Sequence, residues 1–205
     1  MNKSTLLGHS VPPRQKDSVF TRISPINCRF WINCMFLIAM LALTTTRASA
    51  QCTGCTRTIS TNTAITVNPG DVVCITAATF SQSIASYTGT STICIAPGTT
   101  VSSAITLPPN VTLNVYGTYT GSFAMNGGNV NIYSGGVFTP SSSSFNSGGT
   151  FTNNVGGSVT FGTDVSLSST VNLFNYGTMA FSGNLTLNGA SVYVVRLKWT
   201  KGLQI

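Results

Sequence analysis

The sequence predicts an all-β protein, a parallel β-helix (β-solenoid) with rungs of about 20 residues. One phrase recurs four times, in residues 111–129, 130–149, 150–169 and 170–189, with lengths of 19, 20, 20 and 20 residues. A fixed period near twenty residues is the signature of a solenoid. Within each copy apolar and polar residues alternate, as in Val111 to Val115, and no window has the i, i+3, i+4 spacing of a helix. The repeated unit is therefore made of strands.

Three short strands joined by Gly, Asn and Ser corners fill one copy, so each strand can pair with its equivalent one rung away. Corner glycines recur after 19, 21 and 20 residues, at Gly117, Gly136, Gly157 and Gly177. Eight apolar residues at equivalent positions should point inward: Leu113, Ile132, Phe151, Leu173, Met125, Phe145, Val165 and Leu185. The alternative fold is an antiparallel β-sandwich, whose strands also recur at short intervals. A sandwich does not require glycines and apolar residues to share one step.

Residues 1–50 have the pattern of a secretory signal peptide. Five Lys or Arg and one Asp occupy residues 1–29, a mainly apolar run of 14 residues follows at 30–43, and Ala48-Ser49-Ala50 supplies a cleavage site before Gln51. The apolar run is shorter than the roughly 20 residues that a membrane-spanning helix needs. We expect an exported protein, secreted or on the cell surface. The alternative is an uncleaved leader, which would be its only membrane attachment.

The net charge of +7 divides into +5 for residues 1–50, −1 for residues 51–195 and +3 for residues 196–205. The repeat region therefore has no basic stripe, and we expect no nucleic-acid partner. Ser, Thr, Asn and Gly must keep this nearly uncharged region soluble. By length, residues 51–195 form one β-solenoid domain with a Cys-containing N-terminal cap.

Four cysteines in the repeat region are the disulfide candidates: Cys52, Cys55, Cys74 and Cys94. Four cysteines in an exported domain indicate two disulfides, with three pairings open. Cys55, Cys74 and Cys94 are 19 and 20 residues apart and so fall in one column. Neighbouring rungs lie about 4.8 Å apart, a separation that a disulfide tolerates. We favour Cys74–Cys94 with Cys52–Cys55. The C-x-x-C motif as a redox or zinc site is the weaker interpretation, since no second motif or histidine follows.

Residues 196–205 form a basic non-repeat tail that departs from the phrase of the four copies. A solenoid needs a polar terminal cap, and this tail is one candidate for it. We favour the view that the natural array continues, with this sequence a fragment of a longer repeat protein, cut short or read out of frame.

Catalytic groups are scarce in residues 51–195, which contain no His, no Glu, no Lys and only Asp71 and Asp164 as carboxylates. Glycoside hydrolysis needs two acids at one bond, and these two are separated by roughly 22 Å at the strand spacing. Both aspartates fit turn roles, and Ser or Thr nucleophiles have no base to activate them. We expect no enzyme, no catalytic residue, no cofactor and no metal site.

Three phrases share the pattern Asn-x-Gly-Thr-apolar in whole or part: residues 175–179, 115–119 and 154–159. They resemble β-helical repeats of filamentous-haemagglutinin-type adhesins. The leader, the Cys-rich start and Asn68-Pro69-Gly70-Asp71 are similar to secreted surface proteins of gliding, Bacteroidetes-type bacteria. The resemblance covers roughly residues 52–195 and implies a secreted or cell-surface adhesive stalk. A long repeat array and a C-terminal sorting region, expected of such proteins, are missing.

Three classes of function remain open. The first is a non-catalytic structural or adhesive surface module, with surface glycans or other cell-surface polymers as partners and self-association through exposed solenoid ends. The second is a carbohydrate-binding or carbohydrate-active β-helix, because Tyr116, Tyr119, Tyr133 and Tyr176 could stack on sugars.

The third class is an ice-binding solenoid, which needs Thr in one column of successive rungs. Thr112, Thr150 and Thr170 fall near that step, but Asn131 or Val130 interrupts it. We rank this class below the other two.

Overall fold

The computed structural model describes residues 51–86, 89–168, 170–194, 198–199 and 203–204. The signal peptide predicted at 1–50 lies outside the described residues. The described part is a β-solenoid of about seven turns with about 20 residues per turn. All of its strand pairs are parallel, which confirms the predicted β-helix and is incompatible with an antiparallel sandwich.

The strands, numbered β1 to β23 in chain order, form three long sheets and one short pair. Sheet 1 contains β1 (Arg57–Ile59), β3 (Val72–Ile75), β6 (Ser91–Ile95), β9 (Val111–Val115), β12 (Asn129–Ile132), β15 (Thr150–Asn153), β18 (Asn172–Asn175) and β21 (Ser191–Val194). Sheet 2 contains β4 (Thr79–Phe80), β7 (Thr100–Val101), β10 (Thr118–Tyr119), β13 (Val137–Phe138), β16 (Ser158–Phe161), β19 (Thr178–Phe181) and β22 (Lys198–Trp199). Sheet 3 contains β8 (Ile105–Leu107), β11 (Ser122–Asn126), β14 (Ser142–Ser147), β17 (Val165–Leu167), β20 (Leu185–Leu187) and β23 (Leu203–Gln204). The separate pair is β2 (Ile65–Val67) with β5 (Ile84–Ser86).

Alternation of side chains builds the core, because successive residues of a strand point to opposite faces. In β9 the pattern is buried, half-buried, buried, half-buried, buried, and β15, β16 and β18 repeat it from their second residue. The eight residues predicted to point inward are all buried, which confirms that prediction. Aromatic rings fill much of the interior: Tyr119 stacks on Phe138 at 5.1 Å between centroids, and Phe161 stacks on Phe181 at 5.1 Å.

The register differs from the predicted columns in two places. Phe151 pairs with Val130 and Leu173, whereas Ile132 pairs with Asn153 in the neighbouring inward column. Phe145 likewise pairs with Leu167 and not with Val165. The cause is that rung length varies: 17 residues separate the paired residues Leu113 and Val130, and 22 separate Phe151 and Leu173. Corners absorb the difference, so a constant step predicts burial but not register.

The described residues of the tail at 196–205 continue two of the sheets. Strand β22 pairs parallel with β19 through Ala180 and Lys198, and β23 pairs with β20 through Leu185 and Leu203. A β-ladder is made of main-chain hydrogen bonds. A segment outside the repeated phrase can therefore still pair with the last rung.

Candidate binding surfaces

The four cysteines form two disulfides that attach the segment before β1 to sheet 1. Cys52 is bonded to Cys94 and Cys55 to Cys74, with Cα separations of 5.8 and 5.7 Å. The candidate residues were predicted correctly, but the favoured pairing, Cys74–Cys94 with Cys52–Cys55, is wrong. The sulfur atoms of Cys52, Cys74 and Cys94 lie within 4.8 Å of one another. As disulfides they offer no thiolate to a metal ion.

The side-chain directions in sheet 1 explain the pairing. Cys74 and Cys94 are direct neighbours in register, and they alternate with the inward residues Val73 and Ile75 or Ile93 and Ile95. Side chains of paired residues stand roughly perpendicular to the sheet and therefore parallel to each other. Both cysteines thus project outward, yet they are 1% and 3% exposed. The disulfide-bonded segment that contains Cys52 and Cys55 covers them.

Asp71 has the turn role that the sequence suggested. Its Oδ2 accepts hydrogen bonds from the main-chain nitrogen of Asn68 at 3.0 Å and from Arg57 Nη1 at 3.1 Å. The hydrogen bond from the Asn68 main chain, followed by the Arg57 guanidinium, holds the pKa of the Asp71 carboxyl below its usual value. Arg57 also donates to the carbonyl of Thr66 at 2.6 Å. The only Arg of residues 51–195, which the sequence analysis did not single out, therefore fixes this corner.

Asp164 also serves the backbone. Its Oδ1 accepts a hydrogen bond of 2.7 Å from the main-chain nitrogen of Asn184 on the next rung. Asp71 comes just before a strand of sheet 1, whereas Asp164 comes just before a strand of sheet 3. The two carboxylates therefore lie at different corners of the coil as well as on different rungs.

The four candidate tyrosines have three different environments. Tyr119 is fully buried, and its hydroxyl donates to the carbonyl of Ser122 at 2.5 Å, so it belongs to the core. Tyr116 and Tyr133 lie on neighbouring rungs and stack on each other, with centroids 4.4 Å apart and planes inclined by 11°. Burial, together with Tyr133, raises the pKa of Tyr116 to about 12. Tyr176 is 47% exposed and is the most accessible of the four rings.

The Asn-x-Gly phrase at residues 175–177 has a structural explanation. Asn153 and Asn175 are fully buried and occupy adjacent positions in an inward column of sheet 1. Asn153 Nδ2 donates to Asn175 Oδ1 at 2.7 Å and to the carbonyl of Thr178 at 2.9 Å. The glycine two residues after Asn175 is equally constrained. A Cβ on Gly177 would collide with the carbonyl oxygens of Gly157 and Asn154, lying 2.6 Å from the latter.

The outer side of sheet 2 carries two columns of hydroxyl residues, which we name the hydroxyl face. Its first column contains Thr79, Thr100, Thr118, Val137, Ser158 and Thr178. Its second column contains Ser81, Ser102, Thr120, Thr139, Thr160 and Ala180, two residues further along each rung. Ten of these twelve positions are Ser or Thr, and none of the twelve is buried. Sequence reasoning missed this face because the residues do not recur at one constant step.

Sheet 1 presents a more varied outer side. The column that contains Thr112 continues through Asn129, Thr150 and Asn172, so the Thr positions are interrupted, but by Asn129 and Asn172 and not by Asn131 or Val130. Thr170, which the sequence placed near this column, lies before β18 and outside the column. Its hydroxyl accepts a hydrogen bond from the Gly148 nitrogen. The next column contains Asn131 Nδ2 donating to Asn114 Oδ1 at 3.0 Å.

Comparison with known proteins yields no relative: no family matches the chain, and no curated protein or solved structure is significantly similar to it. The resemblance to filamentous-haemagglutinin-type adhesins is therefore supported at the level of a β-helical repeat protein only. Among the residues that the structure describes, there is no helix with the length and apolar character needed to cross a membrane.

Proposed function

We propose that this protein is a non-catalytic structural or adhesive module that acts outside the cell or on its surface. The observation that carries the proposal is the outer surface of the coil, where polar, uncharged side chains repeat from rung to rung. Only three charged side chains occur in residues 51–195, and Arg57 and Asp71 pair with each other at 3.1 Å. Such a surface suits many weak contacts with a repetitive polymer.

Two disulfides support an extracellular location, because disulfides persist in oxidising compartments. They connect the segment before β1 to the second and third strands of sheet 1. A crosslinked first turn protects the end of the coil that would otherwise open first. The predicted signal peptide at residues 1–50 also supports an extracellular location.

Adhesion is tested with beads coated with the full chain, its disulfides formed. The beads are placed on glass, on polystyrene and on surfaces carrying immobilised polysaccharides, and their detachment is followed under increasing shear. Control beads carry the same chain after reduction, alkylation and denaturation. We expect retention that depends on the folded state. Equal detachment of both kinds of bead from every surface would contradict the proposal.

Carbohydrate binding is the second candidate, and the exposed ring of Tyr176 is the observation that favours it. Tyr116 and Tyr133 each use one ring face on the other, so they offer less area to a sugar. Glycan-array binding by Tyr176→Ala, with Thr118→Ala on sheet 2 as control, tests this candidate. We expect the loss of any glycan signal in the first variant and its retention in the second.

A further inference from the structure

We infer that the hydroxyl face binds the surface of ice. The inference concerns one side of the coil and does not depend on adhesion to other surfaces. It rests on the arrangement of the two columns in sheet 2, on their chemistry and on the core beneath them.

The two columns form a regular lattice. Parallel pairing places equivalent residues of neighbouring rungs about 4.8 Å apart along the coil axis. Residues two apart in a strand are separated by about 6.6 Å and point to the same side. Thr118 and Thr120 on one rung, with Val137 and Thr139 on the next, are four corners of one such cell. A crystalline partner of similar spacing can contact many of these positions at once, whereas a disordered partner cannot.

The chemistry of the face suits ordered water. A Thr side chain exposes a hydroxyl group, which donates and accepts hydrogen bonds, and a methyl group. Hydroxyl groups can anchor water molecules at fixed positions, while methyl groups order the water between them. None of the twelve residues of the face is charged or aromatic, and Lys198 of β22 pairs with Ala180 at the C-terminal end of the second column. Val137 has the shape of a Thr, with a second methyl group in place of the hydroxyl.

The face is held in place from below. The residues between the two columns point inward, and Phe80, Tyr119 and Phe138 among them are fully buried. Stacking of Tyr119 on Phe138 at 5.1 Å fixes the spacing of two adjacent rungs from inside. Thr side chains are also restricted at χ1 because they are β-branched. The hydroxyl groups of the seven Thr residues therefore lose little freedom when they bind a solid lattice. Those of Thr120 and Thr139 also donate to the carbonyls of Val101 and Tyr119, at 3.5 and 3.4 Å.

Sheet 1 provides a natural comparison on the same rungs. Its outer column alternates Thr112, Asn129, Thr150 and Asn172, so a flat hydroxyl lattice is interrupted at every second rung. Tyr116 and Tyr133, which follow strands β9 and β12 of sheet 1, also place two stacked aromatic rings beside this sheet. We therefore assign ice binding to sheet 2 and use sheet 1 as the control face.

The experiment measures thermal hysteresis and incorporation into a growing ice hemisphere, using the full chain with its disulfides formed. The test variant is Thr118→Tyr, which places a large ring in the hydroxyl face. The matched control is Thr112→Tyr, because Thr112 is also a half-buried strand residue, on the same rung but in sheet 1. Tyr is favoured in strands, and circular dichroism verifies the fold of each variant. We expect activity in the parent chain and in Thr112→Tyr, and its loss in Thr118→Tyr.

A second pair of variants covers the case in which Thr118→Tyr does not fold. Ser102→Lys adds a charge to an exposed position of the hydroxyl face, and Ala104→Lys adds it to an exposed position two residues further on, outside the face. Loss of activity in the first and retention in the second supports the inference. Absence of activity in the parent chain, or equal loss in folded test and control variants, overturns it. Binding to suspended crystalline chitin or cellulose without any effect on ice also overturns it.

Discussion

Single residues at the corners decide how closely the rungs can approach. Asn153 and Asn175 bring polar side chains into an inward column, where they bond to each other and to the main chain. Buried polar groups need such partners, because an unsatisfied one costs about 1–3 kcal/mol, and here Asn153 Nδ2 has them whereas Asn153 Oδ1 has none among the described residues. Gly177 then lets the chain pass against the carbonyl groups of the rung below. The Asn-x-Gly phrase therefore stabilises the coil itself.

We expect Gly177→Ala to lower the free energy of unfolding by about 1–3 kcal/mol, the usual cost of overpacking. The added Cβ has no room beside the carbonyl oxygens of Gly157 and Asn154. Gly162→Ala is the matched control, because nothing lies within 4 Å of a Cβ there and the main chain is not in the left-handed region. Thermal unfolding followed by circular dichroism compares the two. Equal midpoints would contradict the close approach at Gly177.

The stacked tyrosines give a second test at the residue scale. The pKa of Tyr116 is raised from 10.0 to about 12 in the folded protein. The unfolded chain thus loses the phenol proton of Tyr116 at a lower pH than the folded chain does. The contribution of Tyr116 to the free energy of unfolding is therefore complete below pH 10 and is lost as the pH rises through about 12. Difference ultraviolet absorbance against Tyr116→Phe should show this phenol ionising late.

Tyr133→Phe separates the two causes of that shift. The variant keeps the stacked ring but removes the second phenol. We expect the pKa of Tyr116 to fall towards 10.0 without reaching it, since burial is the larger cause. A return of the pKa to its ordinary value would mean that the phenol of Tyr133, and not burial, raises it.

At the scale of elements, the segment before β1 behaves as a crosslinked cover for sheet 1. It contains no strand between residues 51 and 56, so its attachment depends on Cys52–Cys94 and Cys55–Cys74 and on a few hydrogen bonds. One of these joins the Thr56 nitrogen to the carbonyl of Val72 at 2.9 Å. We expect the removal of either disulfide to destabilise the protein by about 2–4 kcal/mol.

Thiol counting distinguishes the observed pairing from the others. In a background of Cys28→Ser and Cys34→Ser, the double variant Cys52→Ser with Cys94→Ser should have no free thiol, because Cys55 and Cys74 remain paired. Cys52→Ser with Cys74→Ser should leave two free thiols, since Cys55 and Cys94 belong to different disulfides. Two free thiols in the first variant would contradict the pairing.

At the scale of the whole molecule, the three sheets of the described coil each end in an edge strand on its C-terminal side. Strand β21 is the last strand of sheet 1, while β22 and β23 end the other two sheets. The sequence from Ala190 to Val195 is rich in β-formers and uncharged, although Val195 lies outside the described residues. Natural sheets usually cover or charge such edges, because an open edge can pair with another molecule.

Deleting residues 196–205 should therefore increase self-association. The deletion removes β22 and β23 and so leaves the edges of β19 and β20 unpaired. Ser191→Lys in the full chain should reduce self-association, because Ser191 is an exposed residue of β21 and a charge at an edge opposes pairing. Light scattering over a range of concentrations measures both. A truncated chain that stays monomeric at high concentration would show that the end of the coil is protected by other residues.

The sequence by itself determined the class of fold and the identity of the core. Both follow from local properties: the alternation of apolar and polar residues, the recurrence of corner glycines, and a period near twenty. These properties predict strands, a coil and burial of residues such as Leu113 and Phe145, all of which the structure confirms. The four disulfide cysteines were also predictable, since they are the only cysteines in residues 51–195.

Only the tertiary structure decided register, disulfide pairing and the columns on each outer face. Paired residues in sheet 2 are separated by 21 residues between Thr79 and Thr100 but by 18 between Thr100 and Thr118. No constant step can align them, because each corner takes up a different length of chain. The direction of a side chain likewise made Cys74 and Cys94 neighbours that cannot serve as each other's partners here. The alignment of neighbouring rungs depends on how they pack in three dimensions. The hydroxyl face therefore contains residues that are not separated by any constant number of positions in the sequence.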